Sequence, residues 1–271
     1  MQSSGVALTV LVLALSGCES NLQGGAGGAT SAAATSAGST AAESTAESSS
    51  SQSGSTGTGL PIDPCGDSAV PYQDLGTGLD PAAGVFTLND ALAGLAAGPG
   101  PLRAIIDTDE GSVSCELFET VAPNGVANFV GLARGRRPFK ETLTPYHWVV
   151  GKRFYDGLIF HRVINDFMCQ GGDPKGNGSG DAGYSFADEL GNKSHIPGTL
   201  AYANSGPNSN GSQFYIVAEQ PATFLDGMYT IFGLCSPISV PKAITEVPTD
   251  VNDRPLTPIH MNRICITRAA P

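Results

Sequence analysis

Lysine and arginine are scarce in this chain: 14 of them stand against 25 aspartates and glutamates, for a formal charge of −11 at pH 7. Nucleic-acid binding calls for a basic face, so that class of partner is excluded. The one basic cluster, Arg134-Gly135-Arg136-Arg137, reads as a solvated turn. Cys-x-x-Cys is absent, which removes a thioredoxin-like role. His147, His161, His195 and His260 are scattered without metal-ligand spacing. The N-terminal apolar run, Val6 to Leu15, is ten residues long and falls short of the roughly 20 that span a bilayer. Met1 to Gly5 has no Lys or Arg.

A ten-residue run of that kind suits the hydrophobic region of a secretory signal, here residues 1–17. It closes on Leu15-Ser16-Gly17-Cys18, and small residues before a cysteine match a bacterial lipobox. Cys18 is therefore the expected lipidation site, and the chain is expected to be exported and lipid-anchored to the bacterial cell envelope. From Glu19 to Gly59 almost every residue is Ser, Gly, Ala or Thr. Such a segment cannot bury enough apolar surface to offset its conformational entropy. Residues 18–59 thus read as a flexible tether, and about 40 residues of this kind reach some 35 Å.

Five further cysteines remain: Cys65, Cys115, Cys169, Cys235 and Cys265. An exported compartment permits disulfides, but an odd number leaves at least one thiol free. Two bridges among five cysteines can be drawn in fifteen ways, five choices of the odd residue with three connectivities each. Cys169 lies between Met168 and Gln170, where it reads as a small buried hydrophobe and not a nucleophile.

Residues 60–100 form a lead-in whose first half is rich in Pro, Gly and Asp. Its second half has Leu88, Leu92 and Leu95 on one helical face, which predicts a helix over 87–97. Thr87 with Asp90 supplies an N-cap pair, and Gly98-Pro99 a stop. From residue 101 to 271 the pattern changes to short strands. Arg103–Asp107 and Ser112–Phe118 flank a Thr108-Asp109-Glu110-Gly111 turn. Val126, Phe129, Val130 and Ala133 share a helical face over 121–133, with Pro123 tolerable in the first turn. Further strands are expected at 158–164, 167–170, 199–203, 213–217, 230–234 and 259–267, and a second helix at 240–247. Between Gly135 and Gly157 lies an insertion holding the only Trp, Trp148, read as irregular surface.

Two stretches carry chemistry. FHRVINDFMCQGGDP, Phe160 to Pro174, sets one cation (Arg162) and one amide (Gln170) among Phe160, Val163, Ile164, Phe167 and Met168. With no nucleophile–base pair and no metal cluster, this describes a site that grips an apolar group beside a carbonyl without a covalent bond. ANSGPNSNGSQFYI, Ala203 to Ile216, follows downstream. Together they resemble the cyclophilin-type peptidyl-prolyl cis-trans isomerases, over a region from about Leu102 to Arg268. That resemblance implies a mainly β fold: a closed eight-stranded antiparallel barrel capped by two helices, here with a short N-terminal helical extension. It also implies the site: Arg162 and Gln170 as catalytic residues, with Phe167, Met168, Tyr215, Phe224 and Leu225 as the proline pocket. Ala203, Asn204, Gln213 and Tyr229 complete the substrate-binding positions. Three of these depart from the best-known eukaryotic members. Tyr215 stands where phenylalanine is usual, Phe224 replaces a tryptophan that contacts cyclosporin, and Tyr229 replaces a histidine.

An X–Pro amide isomerises slowly because its C–N bond has partial double-bond character, with a barrier of about 18–20 kcal/mol. A donor placed at the prolyl nitrogen localises the lone pair and makes the bond more single. Arg162 is the residue in the motif able to do this, and its guanidinium stays charged. One charge-assisted hydrogen bond is worth roughly 1.5–3 kcal/mol, or some ten- to a hundredfold in rate. The remainder has to come from excluding water and from binding the twisted amide better than either planar form. Proline-containing polypeptides are the implied partners of a monomer that needs no cofactor or metal. The alternative from another class is a proline-peptide binding module or surface adhesin on the same fold. Gly178 to Gly183 fits a dinucleotide fingerprint in letters only, since no helix-forming run follows. Asp173 to Tyr184 is likewise no calcium loop, with Lys175 at a ligand position and Tyr184 where a bidentate Glu belongs.

Overall fold

The computed structural model describes residues 65–141 and 146–268. The expected signal segment, Cys18 and the tether lie outside the described residues. Strand β1, Gln73–Gly76, is followed by helix α1, Leu88–Leu92. Next come β2 (Leu102–Thr108), β3 (Gly111–Leu117), helix α2 (Pro123–Ala133), β4 (Phe139–Lys140) and β5 (Trp148–Val150). Strands β6 (Arg162–Ile164), β7 (Met168–Gly171), β8 (Thr199–Tyr202) and β9 (Phe214–Val217) lead to a 3₁₀ turn, Thr223–Leu225. The chain ends with β10 (Ile231–Ser236), helix α3 (Ser239–Thr245) and β11 (Met261–Arg268).

Alternation drives the first hairpin. Leu102, Ala104 and Ile106 of β2 and Val113, Cys115 and Leu117 of β3 point inward, as a period of two requires. The Thr108 hydroxyl closes the turn by donating to the Gly111 carbonyl at 2.7 Å and accepting from Glu110 N at 3.1 Å. Eight strands then pair antiparallel in the order β11-β2-β3-β10-β8-β9-β7-β6. Helix α2 packs Phe129 into the concave side, its ring 5.2 Å from Tyr155, 5.4 Å from Phe214 and 5.2 Å from Phe232. Ala122 offers the helix no side-chain cap, and the Glu189 carboxylate takes that place, accepting from Asn124 N at 3.1 Å and Gly125 N at 2.8 Å.

The sheet curls but does not close, which corrects the expected closed barrel. Strands β11 and β6 are left as its two edges. An isolated bridge, Ile159 to His260, joins the segment before β6 to the start of β11, with Gly157 N and Phe160 N donating to the Met261 and Ile259 carbonyls and Met261 N to the Leu158 carbonyl. The reason lies in β6, which is three residues long. Its free backbone edge is taken by a loop, Val163 N donating to the Asp253 carbonyl at 2.8 Å.

Three local expectations also change. The 135–157 insertion is not irregular surface: β4 and β5 form a small sheet with β1 in the order β1-β5-β4, and Trp148 is buried, its indole donating to the Gly78 carbonyl at 3.0 Å. The basic cluster is not a solvated turn. Arg134 is buried in an ion pair with Asp67, and Arg137 lies 3.9 Å over the Tyr184 ring and 5.1 Å over Phe86. Helix α1 stops five residues short of its expected end, because the Ala93 backbone leaves the helical region at ψ 129° and Gly94 adopts φ +70°. Leu88, Leu92 and Leu95 still pack on the core. The disulfides, left open by the sequence, are Cys65–Cys265 and Cys115–Cys235, with Cys169 free and buried.

Candidate active site

Strands β8 and β9 are buried on both faces. One face meets the core through Leu200, Tyr202, Phe214 and Ile216. The other carries a separate apolar cluster: Met168, Ala201, Tyr215, Val217, Ala222 and Ile231, with Phe118, Ile164, Phe167, Ala203, Leu225 and Tyr229 packed against it. Register assembles it. Arg162 sits opposite Gln170, Gln170 opposite Tyr215, Tyr215 opposite Ala201, and Ala201 opposite Ile231, one row across five strands. Ile164, Met168 and Val217 form the next row. A patch of apolar wall therefore ends, at the β6 edge, in a guanidinium.

The polar side chains of that row are wired. Arg162 donates through Nε to the Asp253 carboxylate at 3.3 Å. Among the described residues its terminal nitrogens have no protein partner, and the side chain keeps 29 % of its surface exposed. Gln170 Nε2 donates to Gln213 Oε1 at 2.9 Å, and Gln213 Nε2 donates to the Gly178 and Gly180 carbonyls at 3.0 and 2.8 Å. The decoy loop at 178–183 thus has a use: it fixes the amide pair. Asn204 Nδ2 reaches Asp188 Oδ1 at 3.3 Å and Asn210 Oδ1 at 3.2 Å, and its neighbour Ala203 ties it to Gln213, Ala203 N donating to the Gln213 carbonyl at 3.0 Å.

Of the residues read from the sequence, the structure brings Phe167, Met168, Ala203, Tyr215, Leu225 and Tyr229 into one cluster. Phe224 stands apart from it, 63 % exposed, with its ring 5.7 Å from Phe167. Cys169 faces the opposite side, and burial pushes its thiol up to about 12, so no thiolate is available near neutrality. Sequence reasoning missed Asp253, which lies 91 positions from its partner Arg162. It also missed His195 and Asp226, which bond behind Tyr215. One signal for them existed: a tyrosine in a buried wall needs a partner for its hydroxyl.

The family model described as Cyclophilin type peptidyl-prolyl cis-trans isomerase/CLD matches residues 103–266 of the 271, more than half the chain. The chain belongs to the cyclophilin family. This cyclophilin is 45 % identical to a protein of Mycobacterium leprae, "Probable peptidyl-prolyl cis-trans isomerase A", over 170 residues, which cover 60 % of this chain and 91 % of that one. It is 42 % identical to "Peptidyl-prolyl cis-trans isomerase B" of Streptomyces anulatus over 171 residues, 61 % of this chain and 96 % of that one. Among solved structures it resembles a Cryptosporidium parvum cyclophilin type isomerase with a TM-score of 0.54 at 29 % identity, covering 64 % of this chain and 99 % of that chain. A second crystal structure of that parasite protein, in the presence of the dipeptide Ala-Pro, matches at a TM-score of 0.53.

Proposed function

We propose that this cyclophilin is a peptidyl-prolyl cis-trans isomerase that acts on exported polypeptides from a lipid anchor at Cys18. The observation that carries the activity is the row Arg162–Gln170–Tyr215, with an apolar wall on one flank and, at its end, a guanidinium whose terminal nitrogens have no protein partner among the described residues. Proline packs against Phe167, Met168, Tyr215 and Leu225, with Phe224, Ala203 and Tyr229 at the margin. Asp253 holds Nε of Arg162, so the terminal nitrogens are turned to the prolyl nitrogen, where a donor localises the lone pair and lowers the rotational barrier. Gln170, fixed by Gln213, and Asn204 hold the peptide backbone while the preceding carbonyl turns. No bond to the protein forms, and no proton has to move. The Ala-Pro dipeptide present with the Cryptosporidium relative supports this choice of substrate.

Export is supported by the apolar segment closing on Cys18, by the Ser/Gly/Ala/Thr tether, and by two disulfides, which persist in oxidising compartments. The acidic domain then works as a tethered monomer, sampling clients within a few nanometres of the membrane. The activity is tested with the full chain on a proline tetrapeptide, by following the cis-to-trans rate. Acceleration over the uncatalysed reaction that saturates with peptide is expected. Binding of the peptide without acceleration would instead support a proline-binding module.

A further inference from the structure

Behind the pocket wall lies a hydrogen-bonded chain that the isomerase reaction as described does not use. Tyr215 Oη is 2.8 Å from His195 Nε2, and His195 Nδ1 is 2.8 Å from Asp226 Oδ1. The imidazole is fully buried, while the Asp226 carboxylate is a third exposed. Asp226 is itself fixed: it accepts from His195 N at 2.8 Å and from the Ser194 hydroxyl. The loop carrying His195 is pinned from both sides, with Ala222 N donating to the His195 carbonyl at 2.8 Å and Thr199 Oγ1 bonding Ile196 N at 3.0 Å. The His195 and Tyr215 rings lie parallel to within 9°, and Tyr229 meets both edge-on.

The direction of each bond follows from the inventory of donors. The Ser194 and His195 bonds hold the Asp226 carboxyl down to about 2, so it is an anion that only accepts. His195 Nδ1 must carry the hydrogen toward it. In the neutral ring Nε2 is then an acceptor, and the Tyr215 hydroxyl donates inward, away from the pocket. Burial holds that hydroxyl well above its ordinary range, so it keeps its proton. Tied this way, Tyr215 shows proline an apolar ring much as a phenylalanine does.

We propose that His195 and Asp226 are positioning residues of the isomerase reaction: they keep the Tyr215 hydroxyl proton turned away from the proline pocket, and a proton on His195 releases it. With Nε2–H formed, both imidazole nitrogens donate, and the Tyr215 oxygen can only accept from His195. Its own proton rotates out, and the proline ring has no acceptor to meet it. The titratable groups set against His195 among the described residues are Asp226, Tyr215 and Tyr229. The effect falls on binding of the proline ring, hence on KM more than on kcat. It does not depend on where the chain is anchored.

Exchange NMR on a proline tetrapeptide, with the full-length protein, gives kcat and KM from pH 8 to pH 5. In the unsubstituted protein KM is expected to rise at least threefold toward pH 5, with kcat changing less than twofold. Tyr215→Phe, which lacks the hydroxyl, loses that rise. So does His195→Asn, which keeps a donor for Asp226 and removes the nitrogen facing Tyr215; should it not fold, Tyr215→Phe decides alone. Imidazole ¹⁵N spectra at pH 8 should show His195 as the Nδ1–H tautomer. A KM independent of pH, a rise that persists in Tyr215→Phe, or an Nε2–H tautomer would each overturn the proposal.

Discussion

At the scale of single residues, the site shows how cheaply apolar wall and charge are brought together. Arg162 and Met168 need only the right parity in their strands to share a face, and a one-residue slip would send both to the wrong side. His161, the neighbour of Arg162, has the opposite parity and is buried, with neither ring nitrogen bonded to protein among the described residues. Desolvation lowers its affinity for a proton below that of a free histidine, Asp173 opposing this only in part. The sign follows directly. The unfolded chain takes up a proton near pH 6.5 while the folded one resists, so stability is full above that pH and falls as the pH drops below it. Each pH unit inside that window costs up to about 1.4 kcal/mol. Urea melts from pH 7.5 to 5.5 should show the midpoint falling in the natural protein and flattening in His161→Asn. The depressed carboxylates, Asp226 among them, lose their contributions only below about pH 4, through the same argument with protons on Asp. A midpoint that held constant or rose on acidification would contradict the burial of a neutral His161.

At the scale of elements, the legible parts were those whose burial follows a local period. The β2–β3 hairpin was readable because Leu102, Ala104 and Ile106 alternate with polar or exposed residues, and α2 because Val126, Phe129, Val130 and Ala133 repeat at helical spacing. The two site motifs were readable because they fall on β6, β7 and β9, whose register then does the rest. Strand β1 was not legible. Its residues Gln73-Asp74-Leu75-Gly76 are mostly exposed, and backbone pairing to β5, with the Asp74–His147 contact, makes it a strand. The basic cluster misled for a different reason. Its partners Asp67 and Phe86 come from the lead-in, and no local pattern announces an ion pair across that distance. The same lead-in packs Phe86 against Gly131 of α2, where a Cβ would lie 2.4 Å from the ring and would push it aside. Barrel closure failed on one loop: Asp253 takes the β6 edge and, through its carboxylate, Arg162 as well.

At the scale of the whole molecule, two disulfides fasten distant parts of the chain, with sequence separations of 200 and 120. In the chain-entropy account each is worth up to about 4–5 kcal/mol through the unfolded state. Cys65–Cys265 binds the lead-in to the final strand. The anchor is tested by Cys18→Ser. That substitution is expected to abolish acylation and move the protein from washed membranes to the soluble fraction. Retention in membranes, or a mature N-terminus other than a modified Cys18, would contradict lipid anchoring.

The central claim is that a guanidinium at the edge of an apolar wall drives amide rotation, and Arg162→Ala tests it most directly. Arg162 is part-exposed and, among the described residues, its guanidinium bonds only a half-exposed Asp253, so its loss should leave the melting temperature within a few degrees. Its charge-assisted bond, at roughly 1.5–3 kcal/mol, should cost kcat/KM at least about tenfold. Turnover of the proline tetrapeptide at the natural rate by a folded Arg162→Ala protein would contradict the account.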